Sequence, residues 1–384
     1  MSQTKAQLVS GTTAQDLTVD NINTTSINSG QTSGRKNLVI NGAMQVAQRG
    51  TTSTNEGYRT VDKFRNAFNG TDEAPTQSQA DVVAGTTPYT LGFRKSFKLT
   101  NGNQTGGAGA TDYLGFEHHI EAQDVATSGW NFKSASSKLT LSFWIKSSVS
   151  QAFSGSIETP DSSPARFFKF TTASLSADTW TKVTLQIPGD SNVHVDNNTN
   201  TGLAVRLYGF IGTTYTSSDS DTETWVTGSN RYANTMTTTW YTTNDSTLEI
   251  TGVQLEVGST ATDFEHRPYI EELLLCQRYC YVTTGGGCGV GVGGGSNAVH
   301  RCQMNLPVTM RAAPTVTMNG STMYTYDGSA TAQFNAFVAV HSTNQSIDWE
   351  ASDSERTSGT VNTYRPVIAY IKSESGGVIC SADI

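Results

Sequence analysis

The chain reads as an all-β protein: an antiparallel β-sandwich of jelly-roll type, plus a smaller C-terminal β domain, joined by a short helix. Three observations predict this. Of its 384 residues only 15% are charged, and Thr, Ser, Asn and Gly take the place of the missing charge. Aromatic residues make up 9% and are spread along the chain, which separates it from disordered sequences. Short stretches of alternating apolar and polar residues recur, divided by turn residues at the spacing of sandwiches.

The first element is a tail. Residues 1–35 place Leu17, Val19, Ile22 and Ile27 among polar neighbours. One such segment cannot bury enough apolar surface to fold alone. It is either a flexible tail or a segment ordered only when several copies wind together or when it docks on a partner. Order begins at Asn37, where Leu38–Ile40 reads as a short strand and Asn41-Gly42 as a turn. Residues 58–64 read as the start of another strand.

The sandwich, 36–266, follows as strand after strand: 94–100, 138–148, 166–170, 181–187, 203–210 and 246–257. In KLTLSFWIKSS (138–148), Leu139, Leu141, Phe143 and Ile145 share one face, and Thr140, Ser142, Trp144 and Lys146 the other. The period then changes over a helical joint, 267–282. Ile270, Leu273, Leu274 and Gln277 recur at helical spacing, Pro268 is placed to start the helix, and Glu271 and Glu272 suit its first turn. The C-terminal β domain, 283–384, opens on TTGGGCGVGVGGGS, a loop or an extended Gly-permissive segment. Its strands are expected within 305–320, 332–342 and 363–373.

Composition also excludes classes of function. The formal net charge is −8 and no Lys/Arg run exists, which argues against nucleic-acid binding. No stretch is long and apolar enough to insert in a membrane, and the start of the chain has no apolar core of the signal-peptide kind. The expected site of synthesis is therefore a cytoplasm. The five cysteines, Cys276, Cys280, Cys288, Cys302 and Cys380, form no even framework and match no usual metal spacing, so buried free thiols are expected, with no metal and no cofactor.

Carboxylates, histidines and aromatics are the residues that could carry chemistry. Glu117, Glu121 and Asp124 cluster in sequence, as do Glu265, Glu271 and Glu272, but glycoside hydrolysis needs two carboxylates facing each other across a cleft. His118 and His119 are adjacent on a strand, so they point to opposite faces and cannot share one ion. No GxSxG elbow appears. Asp219, Asp221, Asn244 and Asp245 could bind Ca²⁺ but read more simply as turn formers. Aromatics among Asn, Asp and Thr suit sugar recognition. Trp225, Tyr232, Trp240 and Tyr241 lie in the polar stretch 211–245, and Tyr324, Tyr326 and Trp349 lie in the C-terminal domain. These seven are the candidate carbohydrate-binding residues.

Several motifs together resemble a family of phage tail-fibre and related receptor-binding virion proteins, of the marine or cyanobacterial phage type. They are NLVINGAMQVAQRG with TVDKF after it, EHHIEAQDV leading into KLTLSFWIKSS, LEITGVQLEVGSTATDFEHRPYIEELLLCQRYC, and LPVTMRAAPTVT. The resemblance runs from about Asn37 to about Val316, and 248–280 is its most specific part. It implies a homotrimer whose N-terminus attaches to other virion tail proteins, a jelly-roll similar to carbohydrate-binding modules, and a tip that meets a host cell-surface glycan such as lipopolysaccharide. The expected place of action is the virion tail, and the expected activity is binding without cleavage. A purely structural fibre or adaptor and a glycan depolymerase are the alternatives.

Overall fold

The computed structural model describes residues 36–216, 222–228, 232–284, 286–293, 300–319, 323–327, 331–334, 339–351, 356–359, 365–371 and 377–384, together with two short strands near the start. Those strands, β1 (Ser26–Ile27) and β2 (Gly30–Gln31), pair antiparallel. The rest of the expected tail, 1–35, lies outside the described residues.

The sandwich is built from β3 (Thr52–Ser53), β4 (Phe64–Asn69), β5 (Thr76–Asp81), β6 (Lys95–Thr100), β7 (Tyr113–Glu121), β8 (Lys138–Ser147), β9 (Ser154–Thr159), β10 (Arg166–Thr171), β11 (Thr181–Pro188), β12 (Thr201–Ile211), β13 (Trp225–Thr227) and β14 (Thr247–Val257). They form two six-stranded antiparallel sheets, ordered β13-β10-β9-β12-β7-β4 and β11-β8-β14-β6-β5-β3. Alternation decides which side chains meet between the sheets. From β7 come Leu114, Phe116 and Ile120, from β8 Leu141, Phe143 and Ile145, from β10 Phe168 and Phe170, all buried in one core. Burying side chains of this size stabilises by about 1.5–3 kcal/mol each, so the core residues hold the two layers together. Three helices of four or five residues, α1 (Thr87–Thr90), α2 (Ala122–Ala126) and α3 (Thr239–Thr242), lie in its connections.

Two expected elements differ. Leu38–Ile40 is not a strand. The segment bends into a turn that Asn41 closes with φ 61°, accepting a hydrogen bond from the Met44 amide through its carbonyl at 2.8 Å. The Asn37 side chain bonds Val253 O and the Leu255 amide, and the Leu38 amide donates to Leu255 O at 2.9 Å, so one backbone bond to β14 and the polar flank, not a continuous ladder, fix the path of this apolar run. Residues 58–63 are also irregular. The strand begins only at Phe64, after Lys63 takes φ 69°.

A helix, α4 (Tyr269–Gln277), follows Pro268 and carries Glu271 and Glu272 in its first turn. Beyond it lie β15 (Cys280–Thr284), β16 (Gly286–Gly293), β17 (His300–Asn305), β18 (Thr315–Asn319), β19 (Met323–Tyr326), β20 (Thr331–Phe334), β21 (Ala339–Ser342), β22 (Ser346–Ala351), β23 (Arg356–Gly359), β24 (Pro366–Ile371) and β25 (Gly377–Ser381). They form a three-stranded sheet, β15-β25-β18, and an eight-stranded sheet, β21-β22-β17-β16-β24-β19-β20-β23, over a smaller core that includes Met323, Phe334, Trp349 and Cys380. Within the Gly-rich run, Gly286–Gly293 is thus an extended strand. At Gly291 a Cβ would lie 1.7 Å from Arg301 O, so only glycine lets β16 approach β17 there. Of the described residues in the expected strand at 305–320, Asn305 ends β17 and Thr315–Asn319 forms β18, while Pro307 and Pro314, which cannot donate to a ladder, lie in the irregular stretch between them.

Among the described residues no helix is long and apolar enough to cross a membrane. Cys276, Cys280, Cys302 and Cys380 are buried and not joined in disulfides. The Cys288 side chain lies outside the described residues.

Candidate functional site

Alternation along β7 sends Tyr113, Glu117 and His119 to the outer face of the first sheet. On β12, Arg206 and Tyr208 face the same way, because Arg206 pairs with Glu117 and Tyr208 with Gly115 in register. Arg65 on β4 also sits opposite Glu117. Register therefore gathers charges from three strands into one row.

The row is tightly bonded. Arg206 Nε donates to Glu117 Oε1 at 3.1 Å, and Nη1 donates to Glu158 of β9. Arg65 Nε and His119 Nε2 each lie 3.5 Å from Glu117 Oε2. Burial by itself would push the Glu117 carboxyl up, but His119, Arg206 and Arg65 outweigh it and hold the group at about 2. Burial pushes the His119 ring below its ordinary value, although Glu117 opposes the shift. The row is an ionised cluster that nearly cancels its own charge.

Over this row opens a cleft of about 200 Å³, lined by Tyr113, Glu117, Arg206, Tyr208, Ile211, Tyr215 and Tyr232. Tyr208 lies over Gly115, where a Cβ would come within 2.6 Å of its ring. Tyr215 belongs to a single 3₁₀ turn, Thr213–Tyr215, after β12. The Tyr232 amide donates to Tyr215 O at 3.1 Å, which holds the two rings 6.2 Å apart. Tyr113 meets Tyr215 edge to face at 5.4 Å, and the Arg206 guanidinium sits 5.3 Å from the Tyr232 ring. Flat rings thus border a floor of fixed donors and acceptors.

Of the seven aromatic candidates, only Tyr232 lies in this cleft. Trp240 and Tyr241 are 0% exposed and belong to the core. Trp240 packs over Gly209, where a Cβ would be 2.5 Å from its ring, and Tyr241 stacks on Phe210 at 4.6 Å. Trp349 is 2% exposed in the C-terminal core. These three therefore have no free face for a sugar, and their assignment is corrected: apolar burial won over their polar sequence surroundings. Trp225 is half-buried, its indole N–H bonded to Pro188 O at 2.6 Å and its ring tilted against Phe168. Tyr324 is half-buried and Tyr326 43% exposed, both on β19 and away from the cleft.

Of the candidate carboxylates Glu117 lies in the cleft, whereas Glu121, Glu265 and Glu272 are bonded elsewhere. Glu121 accepts from Arg278 Nε and Nη2 at 2.7 and 2.8 Å and from the Tyr279 hydroxyl at 2.6 Å. Glu265 and Glu272 bond Arg267 and backbone amides of Asn37 and Asn41. His118 faces inward against Phe64 and His119 outward. Among the described residues no group of His, Cys, Asp and Glu could hold a metal ion, and Asp219 and Asp221 lie outside them. Sequence reasoning missed Tyr113, Arg206, Tyr208 and Tyr215. The available signal was the polar Arg206 and Tyr208 within the otherwise apolar LAVRLYGF.

No protein-family model matches the chain. No curated protein matches it. Among solved structures it is similar to the enzymatically active domain of tailspike protein 4 from bacteriophage CBA120, at 13% identity and TM-score 0.29, over 58% of this chain and 21% of that one. It is similar to the CBM22-1 xylan-binding domain from Paenibacillus barcinonensis Xyn10C, at 10% identity and TM-score 0.29, over 62% of this chain and 100% of that one. It is also similar to the family 11 carbohydrate-binding module of Clostridium thermocellum Lic26A-Cel5E, at 10% identity and TM-score 0.25, over 56% and 98%. At such low values the cleft's own geometry carries the functional reading.

Proposed function

We propose that the chain is a phage tail-fibre protein that binds a host surface glycan in the tyrosine cleft and does not cleave it. One observation carries this reading: rings of Tyr215 and Tyr232 stand over the pinned Arg206–Glu117–Glu158 row. The apolar face of a sugar ring would rest on the tyrosines, and its hydroxyls would meet the guanidinium and carboxylates. Because the row's charges nearly cancel, it suits a neutral sugar.

Chemistry favours binding over hydrolysis. A glycosidase needs a carboxyl with a raised pKa to protonate the leaving group. Glu117 is held low, and Glu158 is bonded to the same arginine. A cleft of this kind binds weakly alone, so we propose a homotrimer attached to the virion through its N-terminal segment, with three sites acting together. Light scattering should then give three times the 41.1 kDa chain mass, and a stable monomer would overturn the trimer.

The test is retention on immobilised host lipopolysaccharide, with sizing of the glycan afterwards. Retention with unchanged glycan length supports the proposal. No retention points to a purely structural fibre, and released oligosaccharide points to a depolymerase.

A further inference from the structure

The second sheet carries its own cleft, on the opposite outer face of the sandwich. Its volume is about 280 Å³, and it is lined in part by Trp144, Lys182, Phe264, Ser142 and Asp263. Because Leu141, Phe143 and Ile145 point into the core, β8 must send Ser142, Trp144 and Lys146 outward. Register sets Lys182 of β11 directly across from Trp144. Trp180 precedes β11 and lies on the same face, with the Lys146 ammonium 5.1 Å from its ring. Both indoles are only half-buried.

The wall opposite Trp144 is also built. A bulge in β14 between Thr251 and Gln254 holds Gly252 at φ 62°, where a Cβ would lie 2.6 Å from the Phe93 ring. Phe93 in turn packs edge to face on Phe264 at 4.9 Å. Charge on this face is uneven. Lys146 is neutralised by Glu249 at 2.9 Å. The exposed Lys182 ammonium has no ion pair among the described residues. At the rim the Lys36 ammonium bonds Thr262 Oγ1 and Asp263 O, and the Glu256 and Glu265 carboxylates are taken up by Thr262 and by the Lys36 and Asn37 amides, so Lys182 is the cation that faces the cleft beside Trp144.

The geometry points to a second carbohydrate site, here for an acidic sugar, whose ring stacks on Trp144 and whose carboxylate pairs with Lys182. It shares the ligand class of the proposed function but none of its residues. The two faces together would read a surface polysaccharide that carries both neutral and uronic-acid units.

The test uses the full chain in saturation-transfer NMR titrations with oligogalacturonate, oligoguluronate and the methyl ester of the first. The acid forms should bind and the ester should not. Added salt should weaken binding, and Lys182→Gln should weaken it about threefold to fivefold, as loss of an exposed ion pair does. Trp144→Ala should weaken it about tenfold or more, while Tyr232→Ala should leave it unchanged. Lys182 is exposed, so its variant reports even if Trp144→Ala fails to fold. Absence of binding by either uronate, equal binding of the ester, or full binding by Lys182→Gln overturns the site. Loss of uronate binding in Tyr232→Ala would assign it to the tyrosine cleft instead. A failure confined to the uronates leaves lipopolysaccharide retention as the separate test of the first cleft.

Discussion

Gly115 shows how one missing side chain shapes the tyrosine cleft. A Cβ there would lie 2.6 Å from Tyr208 Cδ1 and 2.7 Å from Leu207 O, which no real contact allows. Gly115→Ala should lift the ring off the sheet and destabilise the fold by about 1–3 kcal/mol, read as a fall in the thermal midpoint. Glu117 gives a pH signature. Its carboxyl is held at about 2 against an ordinary 4.5. A depressed carboxyl stabilises the fold in full above its unfolded value, and that stability is lost as pH falls through the folded one. The stability gap between the protein and Glu117→Gln should therefore shrink by on the order of 3 kcal/mol between about pH 6 and about pH 2. The comparison must be against the variant, because burial pushes Asp62 up to about 6, and its contribution instead fades as pH rises from 3.8 towards that value. A gap that stays constant with pH would show that Arg206 and its neighbours do not hold Glu117 ionised.

At the scale of elements, α4 is tied to the sandwich by Glu121, whose side chain is 0% exposed, through Arg278, 27% exposed. Arg278→Ala would leave that carboxylate with only neutral donors, Tyr279 and Gln123. Because Arg278 is partly solvated, the expected loss is about 2–3 kcal/mol, below that of a fully buried pair, measurable by urea unfolding. Much of this level was legible. Alternation in 138–148 located β8 and its inward face, and Pro268 located the start of α4. Leu38–Ile40 misled because an apolar tripeptide reads as a strand whatever holds its ends, and Asn37 holds these through bonds to residues more than two hundred positions away. The cleft was less legible still. Tyr113, Arg206 and Tyr232 meet only through the β7–β12 register and the Tyr215–Tyr232 bond, neither of which leaves a local pattern. Trp240 looked like a surface ring because its neighbours are Thr, yet Gly209 on a distant strand makes the slot it fills.

Across the whole molecule, residues 381–384 fasten the C-terminal sheets to the sandwich. Arg49 pairs with Asp383 and bonds Ser381 Oγ at 3.0 Å, and the Tyr58 hydroxyl donates to Ile384 O at 2.6 Å. Arg311 closes the same corner from the other side, bonding Ala382 O at 2.7 Å. Arg49→Ala should cost about 2–4 kcal/mol, since Asp383 would lose its partner in a largely buried place. Calorimetry should then show the C-terminal sheets melting before the sandwich, where the parent melts in one step. That fastening holds the C-terminal sheets fixed relative to the cleft. We propose above all that the cleft over Arg206 holds a host surface glycan. Saturation-transfer NMR with lipopolysaccharide fragments, run on the parent protein and on Tyr232→Ala, tests it most directly. The account predicts binding by the parent, with fragments of unchanged length, and binding at least about tenfold weaker in the variant. Equal binding by the two proteins, or fragments shortened by the parent, would contradict it.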